Sequence, residues 1–254
     1  MTGTGEQIDD GRYAGSELDL FSGALNWKAY WSSLLRPLMG RRILDVGAGI
    51  GSTARVFAKG QFAEYLALEP DAELVSRMRE SAENGEFGPG FAVRHGTIGV
   101  LGAEQRFDTI LYIDVLEHIQ EDAAELSRAA KHLLPGGRLV ILSPAHQWLF
   151  TPFDARIGHF RRYNKRTLLA TRPAGLELER ICYLDSVGLL ASLANRLLLR
   201  SAMPTRGQIG FWDGWMVPAS RVLDPLTGHA FGKSIVAVFT RPPENPPQGA
   251  GNAV

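Results

Sequence analysis

The chain has 254 residues, with 27 Lys and Arg against 27 Asp and Glu, so its formal net charge is zero. This excludes the basic footprint expected of a nucleic-acid binder. Cys182 is the only cysteine, which excludes an internal disulfide and suits a reducing, cytoplasmic setting. The N-terminal stretch MTGTGEQIDDGRYAG has no apolar signal-peptide core, and no run of about 18 uncharged apolar residues suggests a spanning helix.

In chain order, Leu18, Phe21, Leu25, Tyr30, Trp31, Leu34 and Leu38 follow helical spacing and predict a helix over about 17–38. Ile43–Val46 reads as strand one. A helix over Ser52–Lys59 stops at Gly60, strand two runs over Tyr65–Leu68, and Asp71 caps a helix to about Ala82. Strands three and four read as Phe91–His95 and Thr109–Val115. A helix over Glu121–Leu134 closes at Pro135-Gly136-Gly137. Strand five is Arg138–Leu142, followed by a long loop over 143–163 and a short helix from Asn164. Strands six and seven are Leu176–Leu184 and Ile235–Arg241, and the tail RPPENPPQGAGNAV reads as disordered. Strands alternating with helices predict an α/β, mostly parallel sheet covered on both faces. Ligands in such sheets bind beyond the carboxyl ends of the strands.

Strand one runs into Asp45-Val46-Gly47-Ala48-Gly49-Ile50-Gly51. This G-x-G-x-G lacks one residue of the dinucleotide fingerprint. Its glycines permit a tight turn and close backbone approach to a ligand. Glu69, ending strand two, is a carboxylate placed to accept ribose hydroxyls.

The segments ILDVGAGIG, LALEPD, FDTILYIDVLEHI and LLPGGRLVILSPAH, in this order and spacing, resemble the class I S-adenosylmethionine (SAM) dependent methyltransferases over about 40–170. SPAHQWLFTPFDARIGHFRRY resembles a bacterial subgroup of their type 11 and 12 members. The resemblance implies a Rossmann-like, seven-stranded sheet and SAM as cofactor. Asp45 with Gly47, Ala48 and Gly49 would hold the amino-acid end, Glu69 the ribose and Pro70 the adenine. Gly96 and Thr97 stand where the family commonly places an acid near the adenine amine. Asp114 would face the sulfonium. Tyr30 reads as a lid residue over the methionine part or as a core aromatic. The implied domain spans 41–241, after an N-terminal tail and cap helix over 1–40 and before the tail at 242–254.

Methyl transfer from a sulfonium draws its rate from alignment and exclusion of water, and needs a base only where the acceptor must lose a proton. His146, after strand five, and His159, on the following loop, are the candidate bases. Asp154, Arg161, Arg162 and Tyr163 would bind substrate, the arginines gripping a carboxylate or phosphate. The alternative for each is to tie the loop to the sheet. Asp114, Glu117 and His118 form D-x-x-E-H, which resembles the metal sites of some O-methyltransferases. Because LEHI also occurs in class I enzymes that need no metal, none is expected. An insertion over about 186–232 carries Leu189, Leu190, Leu193, Leu197, Leu198, Trp212, Trp215 and Met216. It would cover the substrate, pair two copies of the chain or lie on a membrane surface. The expected activity is methylation of oxygen or nitrogen on a small, anionic or lipid-like metabolite. The alternative is a SAM-binding enzyme that does not transfer the methyl, such as a cyclase.

Overall fold

The computed structural model describes residues 18, 21–57, 62–194 and 205–243. The 1–17 tail, the Lys59-Gly60 helix stop, Leu197 and Leu198 of the insertion and the tail beyond 243 lie outside the described residues.

Seven strands form one sheet in the order β3-β2-β1-β4-β5-β7-β6. They are β1 (Arg42–Val46), β2 (Glu64–Glu69), β3 (Phe91–His95), β4 (Phe107–Ile113), β5 (Leu133–Pro144), β6 (Glu177–Leu184) and β7 (Ser234–Thr240). β7 lies between β5 and β6 and runs antiparallel to both, while the other pairs are parallel. This is the Rossmann-like α/β arrangement of class I methyltransferases. Strand order reverses between β1 and β4, the switch point where such sheets open a crevice. The central strands are apolar on both sides, as a sheet buried on two faces requires.

One face packs under α1 (Leu25–Leu35), α2 (Ser52–Phe57), α3 (Ala72–Glu83) and the insertion. Its contributors include Trp27, Trp31, Phe57, Met78, Ile209, Trp212 and Val217. The other packs under α4 (Asp122–Ala130) and α6 (Lys165–Ala170), with Leu126, Ala129 and Leu168 inward. In the insertion, α7 (Ser186–Ala194) and α8 (Arg206–Phe211) precede a π-helical turn (Trp212–Met216) and α9 (Val217–Leu226). Its buried side completes the cover of β6 and β7. Leu190, Phe211, Trp215 and Leu226 remain exposed. No helix among the described residues is long and apolar enough to cross a membrane.

Several boundaries differ from expectation. The helix expected over 17–38 is broken at Gly23: Phe21 and Ser22 are helical before it, and α1 begins at Leu25. The buried Asp213 carboxylate also takes the N–H groups of Asn26 (3.1 Å) and Trp27 (2.8 Å). That cap comes from the insertion and has no local sequence signal. β4 stops at Ile113 because Asp114 turns left-handed, with φ 54°. The helix expected to reach Leu134 ends at Ala130, and β5 begins at Leu133, which pairs with Phe107 across a register shift. The loop over 143–163 contains a 3-10 turn (Gln147–Leu149) and α5 (Pro152–Arg156), whose N-terminus Thr151 and Asp154 close as a capping box.

Candidate functional site

A cleft of about 1620 Å³ opens at the carboxyl ends of β1, β4 and β5. The glycine loop forms one end. Gly47, Gly49 and Gly51 all have positive φ, and a Cβ on Gly47 would lie 2.7 Å from a Val115 methyl. Only glycine fits this backbone without strain. Gly47, Ala48, Gly49, Ser52 and Thr53 line the cleft, and Lys28 of α1 faces them.

The two acids of this end support the loop. Glu69 accepts the N–H of Gly49 (2.8 Å) through one oxygen and that of Asp71 (2.9 Å) through the other. Asp45 accepts the Tyr65 hydroxyl at 2.8 Å and is 1% exposed. Burial pushes Asp45 up to about 7 and also raises Glu69. Asp45, Glu69, Pro70, Gly96 and Thr97 stand behind or beside the loop rather than in the cleft wall. Tyr30 is a core aromatic, not a lid: it is 2% exposed and donates to Asp224 at 2.8 Å.

The other end is a cluster of polar side chains. Asp114 follows β4 and opens into the cleft, ringed by protein. Glu117, in the next 3-10 turn, is fully buried. One of its oxygens accepts from Ser143 (2.9 Å), while Oε1 has no hydrogen-bond partner. His159 reaches in from the loop after α5. Its Nδ1 lies 3.0 Å from Asp154 and its Nε2 lies 3.9 Å from Glu117 Oε1. His118 packs edge-on against His159, with ring centroids 4.5 Å apart. Burial first, then neighbouring Asp114, raises Glu117 well above the carboxylate range. Burial and His159 lower His118 to about 3. Asp154 is held well below its ordinary value by His159, Arg162 and Thr151, which outweigh its burial.

The loop residues divide. Asp154 and His159 line the cleft, as does Arg162, which Asp154 engages through both oxygens at 2.8 and 2.9 Å. Arg162 is thereby spent on a protein carboxylate. Arg161 pairs with Asp122 (2.7 Å) and the Gln120 carbonyl, and Tyr163 donates to Asp122 (2.7 Å) from a buried position. Neither faces the cleft, so both tie the loop to the sheet rather than grip a ligand. His146 also departs from its expected place in the crevice. With φ 66°, its ring turns away, its Nε2 meets the Gly232 carbonyl at 3.0 Å, and it stacks on Tyr183.

One ligand atom from each of Glu117, His118 and His159 lies within 4.8 Å of the others. An oxygen and two nitrogens at this spacing are chemically suited to a divalent cation. The D-x-x-E-H pattern marks Glu117 and His118 but leaves His159 out of that set, and Lys233 and Lys28 are not among the residues the sequence singles out. Lys233 precedes β7. Because β7 is antiparallel, its start, not its end, meets the ends of β5 and β6. The carboxyl ends of parallel strands mark the crevice, so a cation that precedes an antiparallel strand carries no such signal.

Residues 22–196 match the family described as "Methyltransferase domain". Among curated proteins, a ubiquinone biosynthesis O-methyltransferase of Bradyrhizobium sp. (strain ORS 278) is 32% identical over 114 residues, covering 45% of this chain and 44% of the relative. The chain therefore spans under half the length of that relative. Among solved structures, the 4+2-cyclase SpnF superposes with a TM-score of 0.60 at 17% identity, over 91% of this chain and 95% of that one. Coclaurine N-methyltransferase bound to N-methylheliamine and S-adenosylhomocysteine (SAH) gives 0.57 at 13%, over 85% and 72%. At these identities the structural likenesses establish the fold alone.

Proposed function

The chain belongs to the methyltransferase domain family, enzymes that draw their methyl group from SAM, and on that premise we propose that it methylates an oxygen on a small molecule with an apolar body. The observation that carries this reading is the continuity of the cleft. One apolar-walled space, with Trp27, Trp31, Phe153, Trp212 and Met216 in its walls, joins the glycine loop to the Asp114–Glu117–His159 cluster.

The loop fits SAM in its bare backbone at Gly47 and Gly49, both at positive φ, where a Cβ on Gly47 would also strike Val115. Asp45 and Glu69 hold that backbone in shape. Glu69 retains lone pairs for a ribose, with Pro70, Gly96 and Thr97 on the adenine side. Bound SAM supplies an electrophilic methyl on a positively charged sulfur, and Asp114 stands between loop and cluster to face that charge. His159 takes the acceptor's proton at Nε2. Asp154 holds Nδ1, fixing the tautomer that leaves Nε2 free, and stabilises the imidazolium. Water exclusion falls to the insertion, whose Ala191, Ile209, Trp212 and Met216 line the cleft. The curated relatives, named for O-methylation, favour oxygen over nitrogen as the acceptor atom.

The reading assigns the Glu117–His118–His159 cluster to proton transfer rather than to a metal. Incubation with methyl-labelled SAM and a set of apolar phenols should move label to the phenol oxygen. Turnover of a phenol without label in the product would instead support a cyclase-like enzyme that uses SAM only as a scaffold.

A further inference from the structure

Lys233 is placed unlike a surface lysine. Its backbone N–H donates to the Asp185 carbonyl (3.1 Å), and its own carbonyl accepts from Ala145 (2.8 Å). These bonds fix it at the point where β5, β6 and β7 meet. Its ammonium lies 4.0 Å above the Trp212 ring and 3.7 Å from Asp185 Oδ2, and the residue lines the cleft.

Asp185 does not need this lysine. Its carboxylate already accepts from Trp212 Nε1 (2.7 Å), Ser220 (2.7 Å) and Gly188 N–H (3.0 Å). At 3.7 Å the lysine is an ion-pair neighbour, longer than a hydrogen bond. The other cations of the cleft wall are committed more closely. Arg162 holds Asp154 through two bonds, and Lys28 donates to the Ser22 carbonyl at 2.7 Å. Burial first, then Arg162, lowers Lys233 below its ordinary value, while Asp185 and Asp114 act in the opposite direction and favour the ammonium. An indole face and a carboxylate steady the ammonium from the protein side, and its remaining donors can meet a ligand.

We propose that Lys233 anchors the acceptor's reacting oxygen in its ionised form, so that the substrates of this site are acidic hydroxyl compounds such as phenols and enols. The inference rests on the methyl-transfer reading above and adds the ionisation state of the acceptor. The O–H proton passes to His159 Nε2, and the oxygen keeps the bonding pair beside the ammonium. That oxygen then forms the O–C bond as the methyl's C–S bond breaks, with the C–S pair remaining on sulfur. The negative oxygen and the positive sulfonium both end neutral. A cation beside the oxygen raises the ionised fraction before the step, as an oxyanion site does.

4-Nitrophenol is the probe, because its phenolate absorbs in the visible. It is titrated spectrophotometrically against the full chain with SAH present, in the wild type and in Lys233→Met, Lys233→Gln and Lys233→Arg. The wild type should bind the phenolate in preference to the phenol and ionise the bound probe at lower pH than in buffer. Met and Gln should weaken phenolate binding by roughly tenfold to a hundredfold and abolish the displacement, whereas Arg should keep most of both. Gln can still hydrogen-bond Asp185, so a folding loss confined to Met leaves the test intact. Equal phenolate binding by wild type and Gln, preference for the neutral phenol, or no binding at millimolar probe would overturn the proposal. SAM affinity measured by calorimetry on the same proteins separates the readings. If SAM fails to bind while Lys233 governs the phenolate, the cofactor reading falls and the anchor stands.

Discussion

The two ends of the cleft are built on opposite plans. At the glycine loop the backbone faces the ligand space, and the acids stand behind it: Asp45 on Tyr65, Glu69 on two loop amides. At the far end side chains face the space, brought from β4, β5, the loop after α5 and the start of β7, and Glu117 Oε1 is left without a partner. A backbone cradle can be inherited with a short motif. A side-chain cluster depends on how distant segments meet. The difference predicts a shape-sensitive cofactor end and a charge-sensitive acceptor end.

The largest effect should come from the acceptor end. His159→Ala should lower kcat by about 10²–10⁴, with SAM affinity unchanged by calorimetry. The same substitution at His146 should leave kcat near wild type, since that ring is turned onto Tyr183. A comparable kcat loss at His146 would break the assignment.

Next is Gly47→Ala. A positive φ and a Cβ 2.7 Å from Val115 should cost about 1–3 kcal/mol. SAM affinity should fall roughly tenfold to a hundredfold, and residual turnover at saturating SAM should stay high. If kcat falls instead with affinity intact, the two ends are not independent.

A smaller effect concerns pH. Burial raises Asp45 to about 7 in the fold, against about 3.9 unfolded. The folded state holds this proton more tightly, so the stability it contributes is full below about pH 4 and is lost as pH rises through 7. Asp45→Asn should remove that slope. Thermal midpoints at pH 5 and pH 8 should differ less in the variant than in the wild type, and an unchanged difference would show that Asp45 stays ionised. Asp154 has the opposite sign. Its depressed value gives stability at neutral pH that is lost as pH falls through the ordinary carboxylate range and below.

The smallest expected effect is that of chelation. EDTA should leave kcat unchanged if the Glu117–His118–His159 cluster moves protons. Loss of turnover restored by Mg²⁺ or Mn²⁺ would assign the cluster to a cation.

The contrast between the two ends also explains what could be read in advance. The strands were legible because apolar runs between turn residues mark a buried parallel sheet. The loop was legible because its chemistry is local, from Asp45 to Gly51. The acceptor end was legible only as a set of residue types. Nothing nearby in sequence tells that Arg161 and Tyr163 both meet Asp122, some 40 residues back. Left-handed turns at Asp114, His146 and Asp185 carry only a weak sequence signal, since Asp and His adopt them more readily than most residues but still rarely. One of them turned His146 out of the crevice. Lys233 reached the cleft only because β7 runs against its neighbours, a consequence of sheet order.

Calorimetric titration of the full chain with SAM and, separately, with NAD tests most directly whether the glycine end holds SAM. SAM should bind saturably at one site per chain, with no comparable heat from NAD, and Glu69→Ala should lose about 1–3 kcal/mol of SAM affinity. NAD binding tighter than SAM would contradict this.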